Sequence, residues 1–542
     1  MLHLLLLLGC PPAPDTGTRI EGSEAGDCSD AADNDVDGLF DCADDGCAGS
    51  TDCATDTDAD TDTDADTDTD ADTDADSDTD ADSDTDADSD TDADVEPGPA
   101  ARWGGDTRFP AGTQLTGQRQ DSGAGYDLAT GDFDGDGTTD LLVAAPGANE
   151  GAAYSGAVYR VAGPILTDGP LSAADTLFTT SGESSFLGWS IAAIADTDGD
   201  GDDEIVLGSS RNQGPAGAVY VFNTSPAGTV DAATGTEWTG EASRDLAGCS
   251  VADAGDVDDD GTNDLGIGAR ASGYAASGGG AVYVVSAAAG SGGGLGSADA
   301  RIYGAASEGI GGVVVGLGDV TGDGIADLGT TRSAGGILVF AGPVGGVMSS
   351  ADAEATYTVG SSTSFGEWPN GLAGASDLDD DGTADIAIGN AGYNLGSSGG
   401  EYTGQVYIVL GPVTSGTSDL LFADATITGS EPFTGLGAGL EMPGDLDGDG
   451  RGELMVGAPY LARYGANSGA SFLFYGGFSG TLTPADADAA FYGDTTNWQT
   501  GYGQDAADLT GDGVVDLILG SPYADGDATT AGVVSILPGS AP

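Results

Sequence analysis

The 542-residue chain is predicted to be all-β, a seven-bladed β-propeller with calcium loops, preceded by a small disulfide-rich segment and a disordered Asp-rich stalk. Three observations carry that expectation. An acidic loop recurs seven times at a spacing of about sixty residues, a strand-length apolar run follows every copy, and a second apolar run opens on glycine further along each unit.

The loops follow D-x-D-x-D-G-x-x-[DE], in which carboxylates at positions 1, 3 and 5 converge, position 7 offers a backbone carbonyl and position 9 closes the shell. That is hard oxygen chemistry, suited to calcium. The candidate ligands are Asp132, Asp134, Asp136 and Asp140 in the first copy, Asp196, Asp198, Asp200 and Glu204 in the second, and Asp256, Asp258, Asp260 and Asp264 in the third. They continue with Asp319, Thr321, Asp323 and Asp327, then Asp377, Asp379, Asp381 and Asp385, then Asp445, Asp447, Asp449 and Glu453, and finally Asp508, Thr510, Asp512 and Asp516. Thr321 and Thr510 stand where the other copies have a third-position carboxylate, so copies four and seven are expected to bind more weakly than those at Asp132, Asp256 and Asp377. Glu204 and Glu453 change reach and not charge. Position 6 is always glycine, as a backbone folding round an ion requires.

An apolar residue follows every loop (Leu141, Ile205, Leu265, Leu328, Ile386, Leu454, Leu517) and opens a short run ending in Gly, Pro or Ser, so the loop feeds a buried strand and an EF-hand is excluded. A second strand begins at Gly156-Ala-Val-Tyr-Arg and at its six counterparts, from Gly217-Ala-Val-Tyr-Val to Gly532-Val-Val-Ser-Ile. A unit of about sixty residues with about four strands cannot bury its faces alone, and radial repetition leaves only short protected edges. The segment at Gln114-Leu-Thr-Gly has the pattern that precedes later loops (Ile427-Thr-Gly, Phe491-Tyr-Gly) and is expected to close the ring by pairing with the last blade.

A third element precedes most loops: Gly125-Tyr-Asp-Leu-Ala, Leu187-Gly-Trp-Ser-Ile-Ala, Ala247-Gly-Cys-Ser-Val-Ala, Phe365-Gly and Leu436-Gly, with Ala145-Pro146 and Gly457-Ala458-Pro459 following. With these in place, residues from about 100 to the end resemble the FG-GAP repeat family, the seven-bladed propeller of integrin α-subunits and many exported bacterial proteins. The resemblance implies that the cation loops are struts on one face, and that the loops leading into each blade's first strand form the opposite, partner-binding face. It implies exposed aromatic contacts from Tyr126, Trp189, Trp368, Trp498 and Tyr502, each of which also reads as core packing when taken alone.

The N-terminal part belongs to another regime. Residues 1–9 read as a signal peptide, and Leu7-Leu8-Gly9-Cys10 resembles a lipobox whose Cys10 would be lipidated. After a tether over 10–27, residues 28–53 hold Cys28, Cys42, Cys47 and Cys53 together with an eighth acidic loop, Asp33, Asp35, Asp37 and Asp41. In an exported chain this reads as two disulfides of open connectivity, with zinc disfavoured because no C-x-x-C pair occurs. The segment resembles small cysteine-and-aspartate modules of exported bacterial lipoproteins. Cys249, by contrast, reads as a small buried hydrophobe. Within the stalk at 54–99, every second residue from Thr55 to Asp94 is Asp, a composition that cannot bury a core and whose like charges extend the chain. Its reach lies between a coil of roughly 35 Å and a stretched limit of roughly 140 Å.

The formal charge is -79, yet 33 of the 91 acids precede residue 100 and 30 more sit in the seven loops, where bound cations would offset them. Twelve Arg and no Lys argue against nucleic acid as a partner. The single histidine is His3, inside the signal, so Ser-His-Asp and Cys-His catalysis, His-ligated zinc, Schiff-base chemistry and a phosphate-binding lysine all lack their residues in the remaining chain. The arginines are too scattered along the sequence to argue a site. The expectation is a non-catalytic, calcium-binding adhesion or ligand-recognition lipoprotein of the outer membrane surface, touching the membrane through its lipid anchor and binding a protein or glycan opposite the calcium loops. A structural envelope scaffold and a carboxylate-dependent glycan hydrolase are the alternatives; the hydrolase would need two acids outside the loops facing one pocket.

Overall fold

The structure is a computed structural model that describes residues 103–109, 112–211, 216–286, 292–333, 335–359, 371–393 and 402–539. The chain divides into two compact units, Met1–Val95 and Glu96–Pro542, and all described residues belong to the second. The expectations for Cys10, for Cys28, Cys42, Cys47 and Cys53, for Asp33, Asp35, Asp37 and Asp41, for the stalk and for Trp368 lie outside the described residues.

Among those residues the strands form seven five-stranded sheets. In blade one, Leu128–Gly131, Asp140–Ala145, Ala157–Val161 and Thr176–Thr179 are antiparallel neighbours in chain order. A fifth strand, Gly228–Asp231, pairs parallel to the fourth and comes from the connection between the third and fourth strands of blade two. Every blade through the fifth borrows its outermost strand from its successor in this way. The sequence gives about four strands per unit; the fifth escapes it because that strand is short and lies in a polar connection, as Gly228–Asp231 and Gly416–Asp419 do.

Closure uses two segments. Thr113–Thr116 is the fourth strand of blade seven, antiparallel to Val533–Leu537, as expected from Gln114-Leu-Thr-Gly. Gly105–Arg108 pairs parallel with Ala489–Tyr492 as the fifth strand of blade six, which sequence reasoning did not anticipate. Gly169–Pro170 of blade one then completes blade seven.

The second strands explain why the apolar runs show no alternation. Asp140–Ala145, Glu204–Ser209, Asp264–Ala269, Asp385–Asn390 and Asp516–Ser521 are buried at every residue, because neighbouring blades cover both faces of each sheet. The tyrosines of the third strands, Tyr220, Tyr283 and Tyr407, are almost wholly enclosed. Glycine opens those strands for a steric reason. Gly156 has φ +79° and bridges Leu187 of the next blade, and a Cβ there would lie 2.2 Å from the Leu187 carbonyl oxygen. Close contact between blades therefore admits no side chain at this point.

First strands from all seven blades line a central cavity of about 210 Å³, with Asp127, Ser190, Ser250, Val314, Ala373 and Glu441 among its walls. Deleting residues 103–117 removes one strand from blade six and one from blade seven and leaves two unpaired edges. The truncated protein should melt at a lower temperature and self-associate on size-exclusion chromatography; a monomer with native melting would show that the ring closes without these strands.

Candidate metal centres and the opposite face

Each acidic loop joins the first strand to the second and lies at one end of its blade. The first-position carboxylate folds the turn by accepting amides from positions 5 and 6: Asp136 N and Gly137 N reach Asp132 at 3.1 and 2.8 Å, and Asp260 N and Gly261 N reach Asp256 at 2.9 and 2.9 Å. Position 5 accepts from the position-7 amide, as when Thr138 N lies 2.9 Å from Asp136 Oδ1. At Gly137, φ is +85° and an added Cβ would meet nothing within 4 Å, so the dihedral and not lack of space selects glycine.

Position 9 is the buried end of each loop. Asp140, Glu204, Asp264, Asp327, Asp385, Glu453 and Asp516 all have 0 % exposure. In blades two to seven this carboxylate accepts the position-2 amide, with Val320 N 2.9 Å from Asp327 and Leu509 N 2.9 Å from Asp516. Asp140, Asp327, Asp385 and Asp516 also accept the amide of a glycine beyond the third strand, at Gly163, Gly342, Gly411 and Gly539. Burial raises the affinity of all seven for a proton. Asp264 and Glu453 are pushed up to about 7 and Asp385 to about 6, burial being the largest cause and neighbouring loop carboxylates adding to it.

In five loops, three or more carboxylate oxygens lie within 4.8 Å of one another: Asp445, Asp447, Asp449 and Glu453; Asp132, Asp134 and Asp136; Asp196, Asp198 and Glu204; Asp256, Asp258 and Asp260; Asp377, Asp379 and Asp385. Like charges at that separation repel by on the order of 3 kcal/mol per pair at an effective dielectric constant near 20. Among the described residues the loops bearing Thr321 and Thr510 form no such group. There the position-3 amide also turns to the ninth carboxylate, Thr321 N lying 2.9 Å from Asp327 and Thr510 N 2.9 Å from Asp516. Of the described loop carboxylate oxygens that are buried, three, Asp264 Oδ1, Asp379 Oδ1 and Glu453 Oε1, have no hydrogen-bond partner, as does the Thr510 hydroxyl. Orphaned carboxylate oxygens facing other carboxylates fit a hard cation.

Blade one differs. Arg160 donates from Nη1 to Asp134 Oδ2 at 2.8 Å and to Asp140 Oδ2 at 2.7 Å, and only 5 % of the residue is exposed.

The aromatic residues expected on the opposite face divide. Trp189 is half-buried, and Trp498 is half-buried against the core between blades six and seven. Tyr126 and Tyr502 are corrections: they are 4 % and 8 % exposed and pack with ring centroids 4.9 Å apart, Tyr126 also packing against Trp189 of blade two and Tyr502 lining the central cavity, so both are enclosed where neighbouring blades meet. Five aromatic rings stand out: Phe422 at 85 % exposure lies in the third-to-fourth connection of blade five, and Tyr274, Phe433, Tyr402 and Tyr464 have exposures of 65, 54, 37 and 37 %. The last four sit in loops between second and third or fourth and first strands, and their signal in the sequence is an aromatic within one of those connections. Those same connections, with the ends of the strands that feed them, carry seven of the ten described arginines: Arg108, Arg119, Arg211, Arg244, Arg270, Arg332 and Arg463. Scattered in sequence, they are gathered by the fold. Arg108, Arg119, Arg332 and Arg463 pair with Asp494, Glu150, Glu308 and Asp106, whereas Arg211, Arg244 and Arg270 have no carboxylate within ion-pair distance among the described residues.

Cys249 is buried and its thiol approaches the Gly311 carbonyl at 3.3 Å, as a small core residue would. Among the described residues no helix is long and apolar enough to cross a membrane.

The FG-GAP repeat family matches at residues 124–159, 187–222, 368–409 and 442–474, which fall in blades one, two, five and six. Bovine phosphatidylinositol-glycan-specific phospholipase D is 29% identical over 166 residues, covering 30% of this chain and 19% of the relative. Integrin alpha-5 of Xenopus laevis is 30% identical over 164 residues, 29% of this chain and 15% of the relative, and human integrin alpha-11 is 30% identical over 172 residues, 29% and 13%. The alignment thus spans less than a fifth of the length of each of these relatives. A crystal structure of BBS1N in complex with ARL6DN resembles the chain at a TM-score of 0.39 and 9% identity, over 79% of this chain and 97% of that one, too remote to bear on function. The chain therefore carries FG-GAP repeats, matched in four blades, in a fold whose described residues close seven blades into a ring.

Proposed function

We propose that this is a calcium-stiffened recognition propeller, carried at the outer membrane surface by a lipidated Cys10, that binds a protein or glycan partner on the face opposite its acidic loops and is not itself an enzyme. The observation that supports it is the division of the two faces. All seven acidic loops lie at one end of the blades, while four of the five exposed aromatic rings, all but Phe422, and seven of the ten described arginines lie at the other. Aromatic rings and arginines are the side chains that anchor interfaces. Arg211, Arg244 and Arg270, in a chain this acidic, suit a partner that presents carboxylate or other anionic groups.

The hydrolase reading has one observation in its favour, since Asp127 and Glu441 line the same central cavity and both lie outside the loops. Glu441, pushed up to about 8 by burial beside Asp505, would suit the acid of such a pair; against the reading, the Asp127 carboxylate is already engaged by the amides of Leu128 at 3.1 Å and Ile191 at 2.9 Å. Glu441→Gln should leave partner binding unchanged; loss of glycan-cleaving activity in that variant would favour the hydrolase.

Excess calcium should raise the melting temperature above its value in chelator by mass action. The gap should widen with pH. In chelator the ninth-position carboxyls have raised affinities in the folded state, so the folded protein binds more protons than the unfolded one from about pH 4 to about 7, and stability falls as pH rises through that window. In calcium the same deprotonation frees ligands for the metal, so stability rises. A gap that is zero, or the same at pH 5 and pH 8, would remove calcium from this reading.

Surface proteins and glycans should be captured by residues 100–542 in calcium, and Arg211→Ala with Arg270→Ala should weaken that capture roughly tenfold or more. Unchanged capture would move the contact surface elsewhere. Cys10→Ser should shift the protein from membrane to soluble fractions; an unmodified protein already soluble would dismiss the anchor.

A further inference from the structure

Blade one breaks the pattern of its own repeat at one place. The third strands of blades two, three, five, six and seven have Val221, Val284, Ile408, Leu473 and Ile536 where blade one has Arg160, and blade four has Val339 and Phe340 there. An arginine in a position that is otherwise apolar and buried needs a partner, and it has two. Its Nη1 lies 2.8 Å from Asp134 Oδ2 and 2.7 Å from Asp140 Oδ2, which are positions 3 and 9 of the acidic loop. The ninth-position oxygen that in the other six loops accepts the position-2 amide is here held by the guanidinium.

We infer that Arg160 is a resident cation of the blade-one loop, holding the third and ninth carboxylates so that this loop stays folded without calcium. The inference rests on the calcium reading of the other loops. Guanidinium keeps its charge at any physiological pH and is more weakly hydrated than an ammonium, so it can supply in the interior the positive charge that the other blades take from a metal. Asp132, Asp134 and Asp136 still lie within 4.8 Å of one another, so metal and arginine compete for Asp134. Arginine has the advantage of being covalently present, and its hold on Asp140 removes the ligand that closes the shell.

The full chain can be tested as purified protein, with melting temperature read in excess calcium and in chelator and bound calcium counted by equilibrium dialysis. Asp134→Asn should lower the melting temperature by the same amount in both media, whereas Asp258→Asn, its counterpart in blade three, should lower it only in calcium. Arg160→Val, which installs the residue of blade two, should melt below the native protein in chelator, recover in calcium and bind one more calcium ion per chain. An Asp134→Asn penalty confined to calcium, or an Arg160→Val protein that binds no additional ion, would overturn the assignment. Equal penalties in both media for Asp258→Asn would instead remove the calcium reading of blade three, and the ion count of Arg160→Val would still decide blade one.

Discussion

A fully buried carboxylate at the ninth position of each loop is the constraint around which the ring is organised. It begins the second strand, or in blade six directly precedes it, accepts an amide from the start of its own loop in six blades and, in four blades, an amide from beyond the third strand. One side chain thus ties three segments together, and it does so with a charge in a place where charge is costly unless compensated. The protein meets that cost in three ways: carboxylate clusters shaped for a cation, amide-rich loops at Thr321 and Thr510 with fewer acids to neutralise, and an arginine in blade one. The blades share a backbone plan and differ in how they hold its counter-charge.

Much of this could be read from sequence because the repeat is local. A loop with oxygen at odd positions and glycine at the sixth, followed at once by an apolar run, encodes its strand, its turn and its candidate ligands within about fifteen residues. Strand closure at Gln114-Leu-Thr-Gly was legible for the same reason, since it copied a pattern found elsewhere. What could not be read were relations across the ring. Gly105–Arg108 and Gly228–Asp231 carry no strong strand signal because their pairing depends on an edge supplied by another blade. Tyr126 and Tyr502 looked like surface contacts because sequence does not say which side of a loop faces the axis. The arginines looked scattered because 33 and 26 residues separate the neighbours Arg211, Arg244 and Arg270 that the ring brings to one face.

The two faces follow from connectivity alone. In an antiparallel blade, the first-to-second and third-to-fourth connections emerge at one end, the second-to-third and fourth-to-first connections at the other. Confining the acidic motif to the first type leaves the second free to vary in length, and aromatic and arginine residues appear there. The likeness to phosphatidylinositol-glycan-specific phospholipase D and integrin α-chains covers less than a third of this chain, which is why it fixes architecture more firmly than partner.

The manner of ring closure also determines where mechanical load enters the domain. Everything N-terminal to Trp103 is joined to the propeller through Gly105–Arg108 and then Thr113–Thr116, outer strands of two different blades. Tension along the chain from that side therefore arrives first at a four-residue strand on the rim of blade six, whose hold on Ala489–Tyr492 is supplemented by Arg108 reaching Asp494 at 2.7 Å. Phe109, buried at 1 % exposure between the two strands, is the next obstacle to peeling. Under traction the ring would open at this seam before the acidic loops carried strain, so the latch is also the mechanical fuse.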